Sequence, residues 1–374
     1  MKISLFIPLL LTIAVMAIIS GGCGNPPGLD DDAIRRADSV RMATDQGLRD
    51  LLCDLAANVY TAATADLATR VTEVTGAITD LRTTRTADNL ERARMSWKLA
   101  RRPWEFSEVG LLGPAKNQHT NTEIDSWPVD ITTIRNILDG RDRIDAASLA
   151  REEGTARGFH AIEYLLWGAD GKQVVEHITD REFDYMLAAA TLMQSSVARL
   201  NITWQGTMAG DSAAYQWQFC HAGQPGSLYT SALAALRESI NSSSSLASEL
   251  QNSKMGISYH SPDDSYAESR FSNTSKDDFI ANLDGIKAWY TGEYRERSVP
   301  ITGLGISSLV VKKNPDLDAR VRAAIDEAMW RVMAIQPSFG EAINSGNKGT
   351  IAGAISAVQR LEALLEGEVL PLFK

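Results

Sequence analysis

Apolar residues in this chain recur at spacings of three and four and almost nowhere alternate. Val40, Leu48, Leu51, Leu52, Leu55, Val59 and Tyr60 set the pattern. That period belongs to the α-helix, where residues three and four apart share a face. No run alternates apolar and polar residues between hairpin turns, so a sheet would have no half-buried face to present. The predicted class is all-α, with two four-helix-bundle-like domains packed together. Helices are expected over about 31–81 (one long helix or two collinear ones), 86–109, 129–138, 146–166, 180–204, 227–250, 274–292, 316–335 and 348–365. Residues 293–314 read as irregular, and residues 206–225 give no clear pattern. The expected organisation is a signal peptide over 1–23, a tether over 24–30, an N-terminal bundle over 31–215 and a C-terminal bundle over 216–374.

The most informative stretch is Gly158-Phe159-His160-Ala161-Ile162-Glu163-Tyr164-Leu165-Leu166-Trp167-Gly168. It sets a His and a Glu three residues apart, on one helix face, among residues that predict burial. A buried carboxylate is costly unless it is paired. The pair therefore needs a metal, an Arg or another acid beside it. The spacing alone is a weak signal, because a core His bonded to its own Glu looks the same.

A second region, Trp97-Lys98-Leu99-Ala100-Arg101-Arg102-Pro103-Trp104-Glu105-Phe106-Ser107-Glu108, places Glu105 and Glu108 on one face as well. Glu123, Asp125, Trp127, Pro128 and Asp130 follow. Four of the eight Trp (97, 104, 127 and 167) fall in these two regions, which suggests an aromatic-walled pocket or ordinary core filling. Imidazole with carboxylates suits iron, manganese or zinc better than copper(I).

Export is expected. Lys2 precedes an apolar run from Leu5 to Ile19, and small residues Ser20, Gly21 and Gly22 lead into Cys23. This resembles a lipobox, with Ser20 where Leu is usual, and makes Cys23 the candidate lipidation site. The alternatives are an ordinary cleaved signal or a retained anchor. In an oxidising compartment Cys53 and Cys220 either bond or pack as small hydrophobes; sequence alone does not choose. A formal net charge of −10 argues against nucleic acid, which needs a basic footprint.

The Gly158–Gly168 stretch matches a GxHxxE signature and resembles the imelysin family. Arg101 to Glu108, Gly113-Pro114 and Ile124 to Pro128 are similar to that family's first half. Arg270-Phe271-Ser272, Asn282 to Ile286, Tyr290-Thr291-Gly292 and Gly303-Leu304-Gly305 are fainter echoes of its second. The resemblance implies a bacterial envelope lipoprotein anchored through Cys23, facing the periplasm or the surface. It implies two bundles related by an ancient duplication, with a site between them and a link to iron acquisition. Carried onto this chain, the metal ligands are His160 and Glu163, with Glu108 and Asp125 nearby and Glu105 as a weaker candidate. Arg101, Arg102, Trp104, Trp127, Gly158 and Ser272 would line the pocket, an Arg balancing the acids when metal is absent. The implied cargo is a metal ion or chelate, iron first, with zinc or manganese as alternatives. An envelope uptake protein is the implied partner, and the only membrane contact is the N-terminal lipid.

Two other readings compete. The family's name carries a metallopeptidase activity, but HExxH is absent, and HxxEH fails because position 164 is Tyr. His119, His177, His221 and His260 sit in no second ligand motif. The third reading is a module without metal, in which the His160–Glu163 pair forms a polar core or grips a small ligand or a partner. No GxSxG elbow, Walker loop or dinucleotide fingerprint is present.

Overall fold

The computed structural model describes residues 45–374 except 114, 115, 117–119, 296–298 and 347. The signal, the tether and Cys23 fall outside the described residues. Helix α1 (Asp45–Asp54) passes through a π-helical turn, Leu55–Thr61, into α2 (Ala62–Thr83). Both junction residues, Asp54 and Thr61, keep helical backbone angles, so the described part is one rod. Helix α3 (Ala87–Ser107) starts where Thr86 accepts the Asn89 N–H at 3.3 Å, a side-chain cap on a free helical donor. It tightens into a 3₁₀ turn, Glu108–Gly110.

Short helices α4 (Thr120–Ile124), α5 (Ile131–Asp139) and α6 (Ala146–Leu149) precede α7 (Gly158–Trp167) and the long α8 (Asp180–Gln205). Thr179 and Glu182 form a capping box at the start of α8. Then come α9 (Tyr215–Cys220), α10 (Ala232–Glu249) with a π-helical extension Leu250–Lys254, α11 (Gly256–His260) and α12 (Ser275–Thr291). A two-residue antiparallel pair, β1 (Glu293–Tyr294) with β2 (Ile301–Thr302), interrupts the helices. Helices α13 (Ser307–Lys313), α14 (Pro315–Met333), α15 (Phe339–Asn344) and α16 (Gly349–Leu364) complete the described chain. The all-α class holds. Among the described residues no helix is long and apolar enough to cross a membrane.

One expected helix is broken. The run over 146–166 is two helices, α6 and α7, separated by turns. Arg157 is extended (φ −146°, ψ −172°), and Gly158 has φ +74°, a region that costs an L side chain strain. A Cβ on Gly158 would also collide with the Ile124 carbonyl. The break lets the start of α7 press on the segment that carries Asp125.

In the first half, α2 packs against α3 and α8, and α7 packs against α3 and α8. In the second, α16 packs on α14 and α10, and α12 on α14. Helix α3 lies against α12, which brings the two halves together. Gly285 permits this contact, because a Cβ there would strike the Phe106 carbonyl. Along α3 and into the turn after it, Trp97, Arg101, Trp104, Glu105 and Glu108 follow helical spacing and are all buried. The inward stripe of this helix therefore mixes indole rings with three charges.

Cys53 and Cys220 are disulfide-bonded across 167 residues. Helix α9, which spans the 215/216 position, is thereby tied to α1 and packs on the Leu55–Thr61 turn. Closing a loop this long restricts the unfolded chain strongly; typical native disulfides contribute about 2–4 kcal/mol. The Cys53→Ser/Cys220→Ser variant is expected to lose that much in denaturant unfolding. An unchanged midpoint would mean that the bond does not form in the folded protein.

Candidate functional site

Three segments of the first half and three of the second converge on one buried polar cluster. From α3 and the turn after it come Arg101, Glu105 and Glu108; Asp125 follows α4; His160 and Glu163 lie on α7. The second half adds Lys254 after α10, Glu268 from the loop before α12, and Asp278 and Asn282 from α12. None of these is more than 7% exposed. Six carboxylates thus face two permanent cations, Arg101 and Lys254, a formal excess of four negative charges. Burying such an excess is unfavourable unless protons or other cations offset it.

Arg101 sits at the centre. It is ion-paired to Glu105 and Asp125, and to Glu268 and Asp278 at 3.2 Å each. Its guanidinium also lies 5.2 Å from the centre of the Phe159 ring. The Lys254 ammonium holds Glu105 and Glu108 at 2.7 Å each and Glu268 at 3.1 Å. Asn282 donates to the Glu105 carbonyl at 2.8 Å and to Glu108 Oε2 at 2.8 Å.

His160 is oriented from behind. Its Nδ1 is 3.0 Å from Glu163 Oε2. The other oxygen of Glu163 accepts from the Ser272 N–H at 2.8 Å and the Ser272 hydroxyl at 2.7 Å. Nε2 therefore faces the cluster, 3.1 Å from Asp125 Oδ1 and 3.9 Å from Glu268 Oε1. Both contacts are ion pairs rather than aligned hydrogen bonds. Glu268 Oε2 also lacks an aligned hydrogen bond, and its ion-pair partner is the Lys254 ammonium at 3.1 Å. The second oxygen of Asp125 accepts from the Trp104 indole N–H at 2.6 Å. Asp125, His160 and Glu268 each offer a ligand atom within 4.8 Å of the others, as do Glu105, Glu268 and Asp278.

Burial raises several of the acids even beside cations. It pushes Glu268 up to about 8 against Lys254 and Arg101, and Asp278 up to about 7 against Arg101. Burial also raises Glu108 well above the carboxylate range, with Lys254 opposing. Asp125 goes the other way: burial would raise it, but Arg101 and then His160 hold it below its ordinary value. For His160 burial favours the neutral ring, yet the adjacent Asp125 carboxylate outweighs it and lifts the imidazole to about 10. Arg101 and Lys254 are both raised, because the surrounding acids overcome their desolvation.

The cluster gathers most of the residues expected from sequence, in different roles. His160 and Asp125 meet. Glu163 faces the imidazole's far nitrogen and Ser272, so it orients His160. Glu105 and Glu108 surround Lys254. Trp104 anchors Asp125, and Gly158 lets α7 approach it. Arg102 lies outside, on Asp284 at 2.7 Å with 40% of its side chain exposed. Trp127 is half-buried and is not part of the bonded cluster. Lys254, Glu268 and Asp278 were not foreseen. A usable signal existed for α12, where Asp278 and Asn282 fall on the same face as Ile286 and Trp289.

The imelysin family profile matches residues 59–366. Iron-regulated protein A of Synechococcus elongatus is 27% identical over 291 residues, 77% of this chain and 76% of that protein. Among solved structures, a Parabacteroides distasonis protein assigned as an iron-regulated protein A precursor superposes with a TM-score of 0.79 at 21% identity. That match covers 88% of this chain and 96% of the other. An imelysin-like protein from Psychrobacter arcticum gives 0.68 at 14% identity, with the same two coverages. The two structures establish the fold.

Proposed function

The chain belongs to the imelysin family, and on that premise we propose that it captures a metal ion, iron first, in the cell envelope, through Asp125, His160 and Glu268. One observation carries this reading: six buried carboxylates facing two permanent cations enclose a group, Asp125, His160 and Glu268, whose ligand atoms lie within 4.8 Å of one another. His160 Nε2 and Glu268 Oε2 are held there by ion pairs, to Asp125 and to Lys254 at 3.1 Å each, rather than by aligned hydrogen bonds. One imidazole with two carboxylates is a donor set for iron, manganese or zinc. When bound, the ion would supply the positive charge that the cluster lacks. Glu163 and Ser272 then fill the supporting role common behind metal-bound histidines, fixing the ring through its far nitrogen. Arg101 holds the same carboxylates together in the metal-free protein.

The relative's name, iron-regulated protein A, favours iron over zinc and manganese. Attachment through Cys23 would place the site outside the cytoplasm, and delivery to an envelope uptake protein would follow capture. Hydrolysis is disfavoured, because the acids nearest His160 are tied to Arg101, Trp104 or Ser272, and no second His joins the cluster.

The test is calorimetric titration of the mature protein with Fe(II), Fe(III), Mn(II) and Zn(II). One saturable site is expected, lost in His160→Ala and in Glu268→Gln. Glu163→Gln should weaken it by about 10–100-fold, as loss of such a supporting partner does. Binding that survives both ligand variants unchanged would sink the assignment and make the cluster a purely structural polar core.

A further inference from the structure

The cluster is sealed from most sides, so any ion must reach it through a particular opening. Two clefts adjoin it. One, of about 380 Å³, lies between the Glu108–Leu112 segment, α4 and α10, and is lined by Glu108, Asn121, Glu238, Asn241, Ser245 and Glu249 among others. The other, of about 510 Å³, lies beyond the end of α7 and includes Ser272, Arg270 and Lys172.

We propose that the first cleft is the loading route for the cation and that Glu108 is the relay between it and the buried cluster. This rests on the metal-capture reading. Glu108 is only 7% exposed, yet it forms part of the cleft wall. Its Oε2 takes both inward contacts, Lys254 at 2.7 Å and Asn282 at 2.8 Å. Oε1 has no partner among the described residues. One carboxylate thus spans the wall, anchored within and unpaired on its other oxygen. Glu238 and Glu249 add two more acids to the same cleft, against a single cation, Lys116, and Asn121, Asn241, Ser242 and Ser245 contribute amide and hydroxyl oxygens. Such a lining concentrates cations and offers exchangeable oxygen ligands on the way in. The second cleft meets the cluster differently. It sets two cations, Arg270 and Lys172, against three acids, one cation more than the first cleft, and at Ser272 the groups turned to Glu163 are donors.

Asn241 and Ser245 are exposed, one turn apart on α10, so two aromatic side chains there would fill the cleft from one helix face. The experiment is stopped-flow loading of Mn(II), followed by Trp fluorescence, into the unaltered protein, Asn241→Phe/Ser245→Phe and Asn344→Phe. Asn344 lines the second cleft. Chelator-driven release is timed on the same proteins. The plug on α10 is expected to slow loading and release together by about tenfold or more, leaving the equilibrium affinity unchanged, since a blocked path alters rates in both directions alike. Asn344→Phe should change neither rate. Normal rates in the α10 variant, or slowing only in Asn344→Phe, would overturn the route while leaving the metal site standing. Absence of Mn(II), Fe(II) and Zn(II) binding to the unaltered protein would overturn both.

Discussion

Replacing Arg101 by methionine is expected to cost at least about 3–5 kcal/mol of stability at neutral pH, the range for removing one partner of a buried ion pair. The side chain is 2% exposed and ion-paired to Glu105, Asp125, Glu268 and Asp278. Methionine keeps much of the volume of the stem, so the loss is electrostatic and falls on four acids at once. Lys254 remains, but its contacts are to Glu105, Glu108 and Glu268, which leaves Asp125 and Asp278 without a permanent cation. The deficit should shrink toward pH 5, where Glu268 and Asp278 take up protons readily. Arg101→Lys should fall between the two, since an ammonium lacks the planar fork that reaches several carboxylates. The adjacent residue supplies the control. Arg102 pairs with Asp284 with its side chain 40% exposed, and an exposed pair contributes about 0–1 kcal/mol. Equal losses for Arg101→Met and Arg102→Met in urea unfolding would mean that the cluster does not depend on its central cation.

That contrast shows where sequence reasoning stops. Arg101 and Arg102 are neighbours of one residue type, and only packing decides which is buried. The α3 stripe was legible because Trp97, Trp104, Glu105 and Glu108 repeat at helical spacing. The Gly158-to-Gly168 motif was legible because a His and a Glu in an apolar run have few physical explanations. The length of its helix was not: Arg151, Glu152 and Glu153 favour helix, and the break at Arg157–Gly158 comes from the close approach to Ile124. The second half's contribution was hidden for another reason. Lys254 and Glu268 look like solvated charges in polar sequence, and their burial is set by contacts with oppositely charged residues more than a hundred positions away, Glu105 for Lys254 and Arg101 for Glu268. Likewise, nothing local to Cys53 or Cys220 marks a partner 167 residues distant.

The same cluster makes the metal-free protein more stable in mild acid than in base. His160 has its folded-state value raised to about 10. Its contribution is complete below its ordinary value of about 6.5 and is lost as pH rises through 10. Glu268 and Asp278 are raised to about 8 and about 7. Between their ordinary values near 4 and these, the folded protein retains protons that the unfolded chain has released. All three groups therefore bind more protons in the folded state over part of the range from pH 4 to 10, and stability falls as pH rises. Asp125 is lowered, so its contribution is present above about pH 4 and is lost only on further acidification. Arg101 and Lys254 stay charged throughout, because the acids around them raise both. The metal-free melting temperature should thus peak between about pH 4 and 6 and drop by pH 9, a loss of several kcal/mol by linkage. A cation at Asp125, His160 and Glu268 would replace the departing protons and reverse that slope. Its affinity should rise with pH, because an imidazole must shed its proton to ligate. At a hundredfold excess over Kd it would restore about 2.7 kcal/mol. Melting curves at pH 5, 7 and 9, with and without Mn(II), check both statements. A His160→Gln/Glu268→Gln variant should show a flatter profile and no response to metal. A metal-free protein that instead grows more stable from pH 5 to 9 would show that protons do not compensate this cluster.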